Sequence, residues 1–410
     1  MAKIKPFKAI RPRRDLASLV ASRSYVSYSK NSLKDKLDTN PYTFLHIINP
    51  DYKDNVKRSR NERFHLVKKK FNEFVEEKIL FEDSKESFYI YEQLKNNNRY
   101  IGIIACISID EYLSGNIKIH EETITNREDM FKDYLNITGF NADPVLLTYN
   151  DNNIIDNIIE KYSKGRSEYE FTTTNKVSHR LWKISNTQDI NKIITSFKSI
   201  NNIYIADGHH RSSSSALLLE EKRNRSKNLS KIGNENYFMS YLIPKSQLNI
   251  INFNRVVKIP ENVNSEKILE KIQKLYDLKN TGKTPHNPTH KKEIAMYFKD
   301  FWYSLVYKGS DLSLKSENLD ASILSREILS PILNIKDEKT NTNISFIEGS
   351  IHVNELQKMV DKKEFDIAFI LQPIDVNDLI TVAENQEIMP PKSTYIHPKL
   401  RSGLTIYKIN

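Results

Sequence analysis

The stretch "IYIADGHHRSSSSALLLEEKRNR", residues 203–225, decides how this chain folds locally and where its chemistry sits. Ile203 to Ala206 form an apolar run of strand length, and Ala216 to Leu219 begin an apolar helical face that Glu220 to Arg225 carry into solvent. A strand-to-helix turn is predicted between them. Gly208 allows that turn a φ its neighbours resist, and Ser212 to Ser215 are residue types that start helices. The first-turn N–H groups and positive dipole end of the helix make a site for phosphate or carboxylate, with Arg211 beside them. Turn chemistry explains any one of Asp207, Gly208, His209, His210 and Arg211. Five functional residues between a buried strand and a helix are more than a turn requires, and predict a binding or catalytic site.

Composition narrows the remaining choices. A chain of 410 residues with 39% hydrophobic residues is globular and too long for one ordinary core. Its one cysteine, Cys106 in "YIGIIACISI", excludes a disulfide or a thiolate cluster within the chain and points to a reducing compartment. The basic start, "MAKIKPFKAIRPRRD", is not followed by an apolar signal region, and no window reaches membrane-span length; a cytoplasmic protein is predicted. The formal charge of +10 comes from a general richness in Lys, with the basic runs at 67–71 and 221–227 interleaved with Glu on helical segments. That is the pattern of a solvated face and argues against nucleic acid as a partner.

The ten glycines are too scattered for the G-x-G-x-x-G dinucleotide fingerprint. "TGKTP" at 281–285 resembles the end of a P-loop, but Asp277 stands where its first glycine belongs and Pro285 follows the threonine. His286 and His290 have helical metal-ligand spacing, which Pro288 between them contradicts, so 279–292 reads as an exposed basic loop.

Three parts are predicted along the chain: an N-terminal α+β domain over 1–110, a central domain with the D-G-H-H-R word over 111–245, and a C-terminal α+β domain over 246–410. Within them we expect a helix ended by Asn40-Pro41, a strand at Phe44 to Ile48, and a helix from about Glu62 to Ile79. A strand pair is expected from "SFYIYEQL" and "RYIGIIACISI", and further strands at "NYFMSYLIP" and "FDIAFILQP". The fold class is α+β, with mixed or antiparallel sheets and flanking helices.

Taken in order, "RPRRDLASLVASRSYVSYS", "NPYTFLHIINP", "IKIHEETI", "SHRLWKI", "ADGHHRSSSSA", "NFNRVV" and "MPPKSTYIHPKLRSG" resemble a bacterial and archaeal family catalogued as domain of unknown function 1015. The resemblance spans essentially the whole chain. More loosely, the strand, charged turn and helix resemble the phosphate-binding segment of the ParB/sulfiredoxin fold, some members of which are nucleotide-dependent kinases of free serine. This chain departs from the family in two places. Arg23-Ser24-Tyr25-Val26 stands where many members have Pro-Pro-Tyr-Asp, and Asn254 stands where relatives often have His.

These words supply parts for phosphoryl transfer, which asks a protein for positioning and charge neutralisation. Gly208, Arg211, Ser212 and Ser213 could hold one phosphate, and Lys392, Ser393 and Thr394 another. Asp207 could ligate Mg²⁺ or take a hydroxyl proton, and His209 and His210 could serve as acid or base. His120 with Glu121, His179 with Arg180, and Arg255 are further candidates. The function implied is transfer between ATP or ADP, with Mg²⁺, and a small hydroxyl substrate; free serine is the acceptor the looser resemblance suggests. A nucleotide or anion sensor without turnover, and a phosphatase using water, would employ the same residues.

Overall fold

The computed structural model describes residues 2–54, 56–226, 230 and 233–409. The side chain of Val26, and Lys227 of the basic run, fall outside the described residues. The fold is α+β, and the chain divides into two compact units. The first takes Met1–Lys118, Glu122–Leu248 and Pro398–Asn410; the second takes Ile119–Glu121 and Asn249–His397.

The first unit is built on a mixed sheet. Its strands run in the spatial order Ile117–Lys118, Ile203–Asp207, Val145–Tyr149, Tyr237–Pro244, Asn98–Ser108, Phe88–Lys95, Ser178–Ile184 and Tyr169–Thr172, with Ile4–Lys5 added against Asn98–Ser108. Two pairings are parallel, Ile203–Asp207 with Ile117–Lys118 and Tyr237–Pro244 with Val145–Tyr149; the others are antiparallel. Alternation along the strands separates two faces. Phe88, Ile90, Ile101, Ile103, Trp182 and Ile184 enter one continuous core, which helices Asn153–Ser163, Thr187–Lys198 and His209–Arg225 cover with Ile158, Phe197, Leu219 and their neighbours. The alternate positions carry Tyr89, Tyr91, Gln93, His179 and Tyr241, so the opposite face is buried but rich in hydroxyl and ring nitrogen groups. A second cluster packs Phe71 and Phe74 of helix Arg60–Glu76 against Phe44, Ile47, Phe140 and Ile406. That helix starts with a capping box between Ser59 and Glu62.

In the second unit a six-stranded sheet is antiparallel at every pairing. Its order is Tyr276–Gly282, Phe301–Tyr307, Glu293–Phe298, Ile367–Leu371, Phe253–Val257 and Ile344–Glu348. Each face has its own core: Ile294, Met296, Leu305 and Phe369 on one, and Ala295, Tyr297, Trp302 and Ile370 on the other. Where the chain enters and leaves this unit, Asn249–Ile251 and Tyr395–His397 form an antiparallel pair, with Asn249 opposite His397.

The expected hairpin is present as Phe88–Lys95 and Asn98–Ser108, with Asn96 and Asn97 at φ 48° and 67° in its turn. The helix before Asn40 spans Lys30–Thr39. The expected strand at Phe44 to Ile48 is instead a helical turn, Leu45–Ile48. The N–H groups of His46 and Ile47 bond to the carbonyls of Thr43 and Phe44, and a short apolar run does not distinguish the two conformations. The expected loop at 279–292 begins inside the strand Tyr276–Gly282. Of the sequence boundaries, 245 lies close to Asn249, where the second unit resumes, and 110 falls inside helix Ile109–Leu113 of the first.

Candidate functional site

The predicted turn is present as strand Ile203–Asp207, Gly208 and helix His209–Arg225. Gly208 has φ 110° and ψ 30°, outside the comfortable range of any L side chain, and its missing Cβ is where Arg211 packs. An added Cβ would stand 2.8 Å from Nη2 and 2.9 Å from Nε of Arg211. The guanidinium is thus drawn back over the turn, where Nη2 donates to Asp207 Oδ2 at 3.2 Å and Nη1 to the Pro144 carbonyl at 2.5 Å. Lys399 Nζ approaches the same Asp207 oxygen at 3.8 Å. The Asp207 side chain remains 44% exposed, so it is accessible to a ligand as well as flanked by two cations.

The histidines and serines divide between helix and interior. His209 is buried. Burial and the charge of Arg127 lower the His210 pKa, partly opposed by Glu128, so its imidazole is neutral near neutral pH. Its Nδ1 is buried without a hydrogen-bond partner. The serines turn their hydroxyls back along the helix: Ser212 donates to the His209 carbonyl at 2.9 Å, Ser213 to His210 at 3.3 Å and Ser215 to Arg211 at 2.8 Å. Each hydroxyl has one proton, and the Ser212 N–H itself donates to the Gly208 carbonyl at 3.2 Å, so Ser212 and Ser213 use their donors within the helix.

His179 is 1% exposed, in the strand Ser178–Ile184 opposite Gln93. Its Nδ1 shares a 2.8 Å hydrogen bond with the Tyr91 hydroxyl, and its ring stacks on Phe171 at 5.1 Å. Burial, with Arg401 adding, pushes its pKa down to about 3. Arg180, one residue on, points to the other face and bonds to Glu170 at 3.0 Å.

The remaining candidates belong to the second unit. His120 is buried, and its carbonyl accepts from Met389 N at 2.9 Å; Glu121 follows it on the surface. Lys392 has φ 56° after Pro390-Pro391, and its ammonium lies 5.2 Å from the centre of the Phe253 ring. Ser393 donates to the Pro390 carbonyl at 2.8 Å, closing the turn, and Thr394 is half-buried after it. Arg255 is 1% exposed; Nη1 donates to the Phe253 carbonyl at 2.5 Å, and Nε lies 3.8 Å from Glu338 Oε2. Its pKa falls to about 10 through burial, which Glu338 offsets in part. His286 and His290 converge on one acid, Glu293, at 2.8 and 3.8 Å. Among the described residues no group of three His, Cys, Asp or Glu side chains could hold a metal ion.

Residues that sequence reasoning passed over complete the first unit's site. Lys399 and Arg401 stand two apart in "HPKLRSG", with Gln93 Nε2 donating to the Lys399 carbonyl at 3.1 Å. The only local signal was that pair of basic residues before Ser-Gly; nothing in the tail's pattern shows which sheet it returns to.

A family model described as protein of unknown function (DUF1015) matches residues 4–324, so Lys392 to Thr394, Lys399 and Arg401 lie beyond the matched segment. No curated protein matches the chain in sequence. Among solved structures, a free serine kinase in complex with AMP is similar at 12% identity, over 74% of this chain and 91% of that one, with a TM-score of 0.37. A conserved hypothetical protein from Pyrococcus furiosus is similar at 12% identity, over 74% and 94%, with a TM-score of 0.35. SbnI from Staphylococcus aureus, truncated at its C-terminus, is similar at 14%, over 74% and 87%, at 0.38. No helix among the described residues is long and apolar enough to cross a membrane.

Proposed function

The chain belongs to the family described as protein of unknown function (DUF1015), and from the geometry of its first unit we propose that it transfers a phosphoryl group between a nucleotide and a small hydroxyl metabolite. One observation carries the reading: an accessible carboxylate, Asp207, held by Arg211 and approached by Lys399 at the N-terminus of a 17-residue helix. Phosphoryl transfer needs positive charge around the moving group and an acceptor for one hydroxyl proton. Lys399, Arg211 and the helix N-terminus supply the first, and Asp207 supplies the second. His210, kept neutral by burial, is the accompanying acid or base, with His209 beside it in the chain. Lys392, Ser393 and Thr394, which belong to the second unit, are the other phosphate-binding candidate. Free serine is the first acceptor to try, a choice that rests on the looser resemblance of the sequence words.

ATP or ADP would bring Mg²⁺ with its phosphates. Because no metal cluster of His, Cys, Asp or Glu occurs among the described residues, such an ion would be held mainly by phosphate oxygens and water, with Asp207 as a protein ligand in the alternative to its role as base. When bound, the ion would neutralise phosphate charge.

The test is incubation of the purified chain with ATP or ADP, Mg²⁺ and serine, with O-phosphoserine followed by mass spectrometry. Asp207→Asn should retain nucleotide affinity and lose about 100-fold or more in turnover, as expected for removal of a general base. Tight nucleotide binding with no product from serine or a panel of other hydroxyl acceptors would reject transfer in favour of a sensor; release of inorganic phosphate alone would indicate a hydrolase.

A further inference from the structure

The tail segment after Pro398 brings a cation, Arg401, into the first unit without an ion-pair partner among the described residues. Arg401 is half-buried, and among the described residues no carboxylate pairs with it; the hydrogen bond it makes is a long one, Nη2 to Asn175 Oδ1 at 3.4 Å. Burial lowers its pKa, the neighbouring Arg23 lowers it further, and only the hydroxyls of Tyr91 and Tyr28 oppose this. Arg23 is held in place by its own surroundings. Ser22 and Ser402 exchange backbone hydrogen bonds at 3.2 and 2.9 Å, and the Arg23 guanidinium lies 4.7 Å from the Tyr28 ring centre. No acidic residue occurs between Leu16 and Lys34. The exposed Arg23 guanidinium is therefore a second cation beside Arg401, and burial penalises Arg401.

A second, independent feature lies on the same side. Tyr91 and Gln93 are two apart on one strand, and His179 is opposite Gln93 on the next, so all three share the hydroxyl-rich face. The Tyr91 hydroxyl satisfies His179 Nδ1, yet Nε2 is buried with no partner. A buried ring nitrogen left unpaired is costly, so it marks a place where something else completes the hydrogen bonding. Arg401 is close enough to depress the His179 pKa, and Gln93 fixes the tail here through the Lys399 carbonyl.

We propose that Arg401, with Arg23 and the Tyr91–His179 pair, binds an oxyanion group of the substrates. A planar guanidinium suits either a carboxylate or a phosphate, each able to accept two parallel N–H bonds. The inference rests on the transfer reading only for its choice of ligands. If the group is a carboxylate, the acceptor is a hydroxy acid or hydroxy amino acid. If it is a phosphate, this is where a nucleotide phosphate lies.

The full-length chain would be titrated calorimetrically at low salt with L-serine, ADP and inorganic phosphate, and compared with Arg401→Gln and Arg401→Lys. Affinity for at least one probe should fall about tenfold or more in the Gln variant, with the Lys variant intermediate because it keeps charge without the paired donors. Loss confined to serine assigns the pocket to a carboxylate; loss confined to ADP and phosphate assigns it to a phosphate. Saturating probe should raise the wild-type Tm and leave that of the Gln variant unchanged. Should the Gln variant not fold, the Lys variant decides by the same titrations. Unchanged affinity for all three probes in a folded variant, or no binding of any of them by the wild type, overturns the proposal. Weakened binding in the variant without O-phosphoserine formation by the wild type would remove the transfer reading and leave the pocket. Phosphoserine formed by Arg401→Gln at unchanged acceptor KM would do the reverse.

Discussion

Gly208→Ala isolates the contact on which the Asp207 site depends. Two effects add. An L residue held near φ 110° is strained by on the order of 1–3 kcal/mol. The new methyl would also stand 2.8 to 3.0 Å from three guanidinium atoms of Arg211, so that group must leave its bonds to Asp207 and the Pro144 carbonyl. A charged hydrogen bond contributes about 1.5–3 kcal/mol, and because the Arg211 side chain is partly exposed we take the lower end, about 1.5. Gly115→Ala is the control. That glycine has φ 73° and open space around the missing Cβ, so its substitution carries the strain alone, about 1–2 kcal/mol. The chain has two tryptophans, Trp182 in the first unit's core and Trp302 in the second's. Urea unfolding in a Trp302→Phe background therefore reports the first unit separately, as a chain of two units requires. Gly208→Ala should destabilise it by about 1.5 kcal/mol more than Gly115→Ala, and this excess should vanish when Arg211 is already alanine. Equal stabilities for the two alanine variants, or an excess that survives loss of Arg211, would show that the guanidinium is not held by the turn.

Two further predictions concern the second unit, read by Trp302 fluorescence. Arg255→Ala should cost about 3–5 kcal/mol because it strands the buried Glu338 carboxylate, whereas Arg255→Met with Glu338→Leu should be neutral or stabilising; equal losses would reject an ion pair there. Burial raises the Asp320 pKa to about 6, against the Lys292 backbone N–H bond, so its contribution is fully present below the unfolded value near 3.8 and is lost as pH rises through 6. Asp320→Asn should accordingly leave stability unchanged at pH 3.5 and raise it by about 1–3 kcal/mol at pH 8; a pH-independent difference between wild type and variant would contradict this.

Local readings succeeded where the deciding interactions are close in sequence. The strand and helix around Gly208, the Phe88–Ser108 hairpin and the helix before Asn40 are set by residues within a few positions of one another. The run Phe44 to Ile48 failed because five apolar-leaning residues suit a strand or a helical turn, and only packing against Phe71 and Ile406 selects the turn. Distant partners were invisible for a different reason. Tyr407–Lys408 pairs with Phe140–Asn141, and Ile10 bridges Ile406, but nothing in the tail's alternation names those partners. Lys399 and Arg401 were hidden with it. The same limit applied to Arg211, whose charge was plain but whose bond to the Pro144 carbonyl, far back in the chain, was not.

The antiparallel pair Asn249–Ile251 with Tyr395–His397 gives Asn249–His397, the larger part of the second unit, the form of an insertion whose two ends meet. Opposed residues in such a pair have Cα atoms about 5 Å apart, so a linker of two or three residues could join Leu248 to Pro398 directly. On the ribosome the order of completion is then inverted. The inserted unit is fully synthesised while the first still lacks the strand that pairs with Phe140–Asn141, and with it Lys399 and Arg401. A nascent chain that has emerged only through His397 would hold a finished second unit and the Asp207 turn without its second cation.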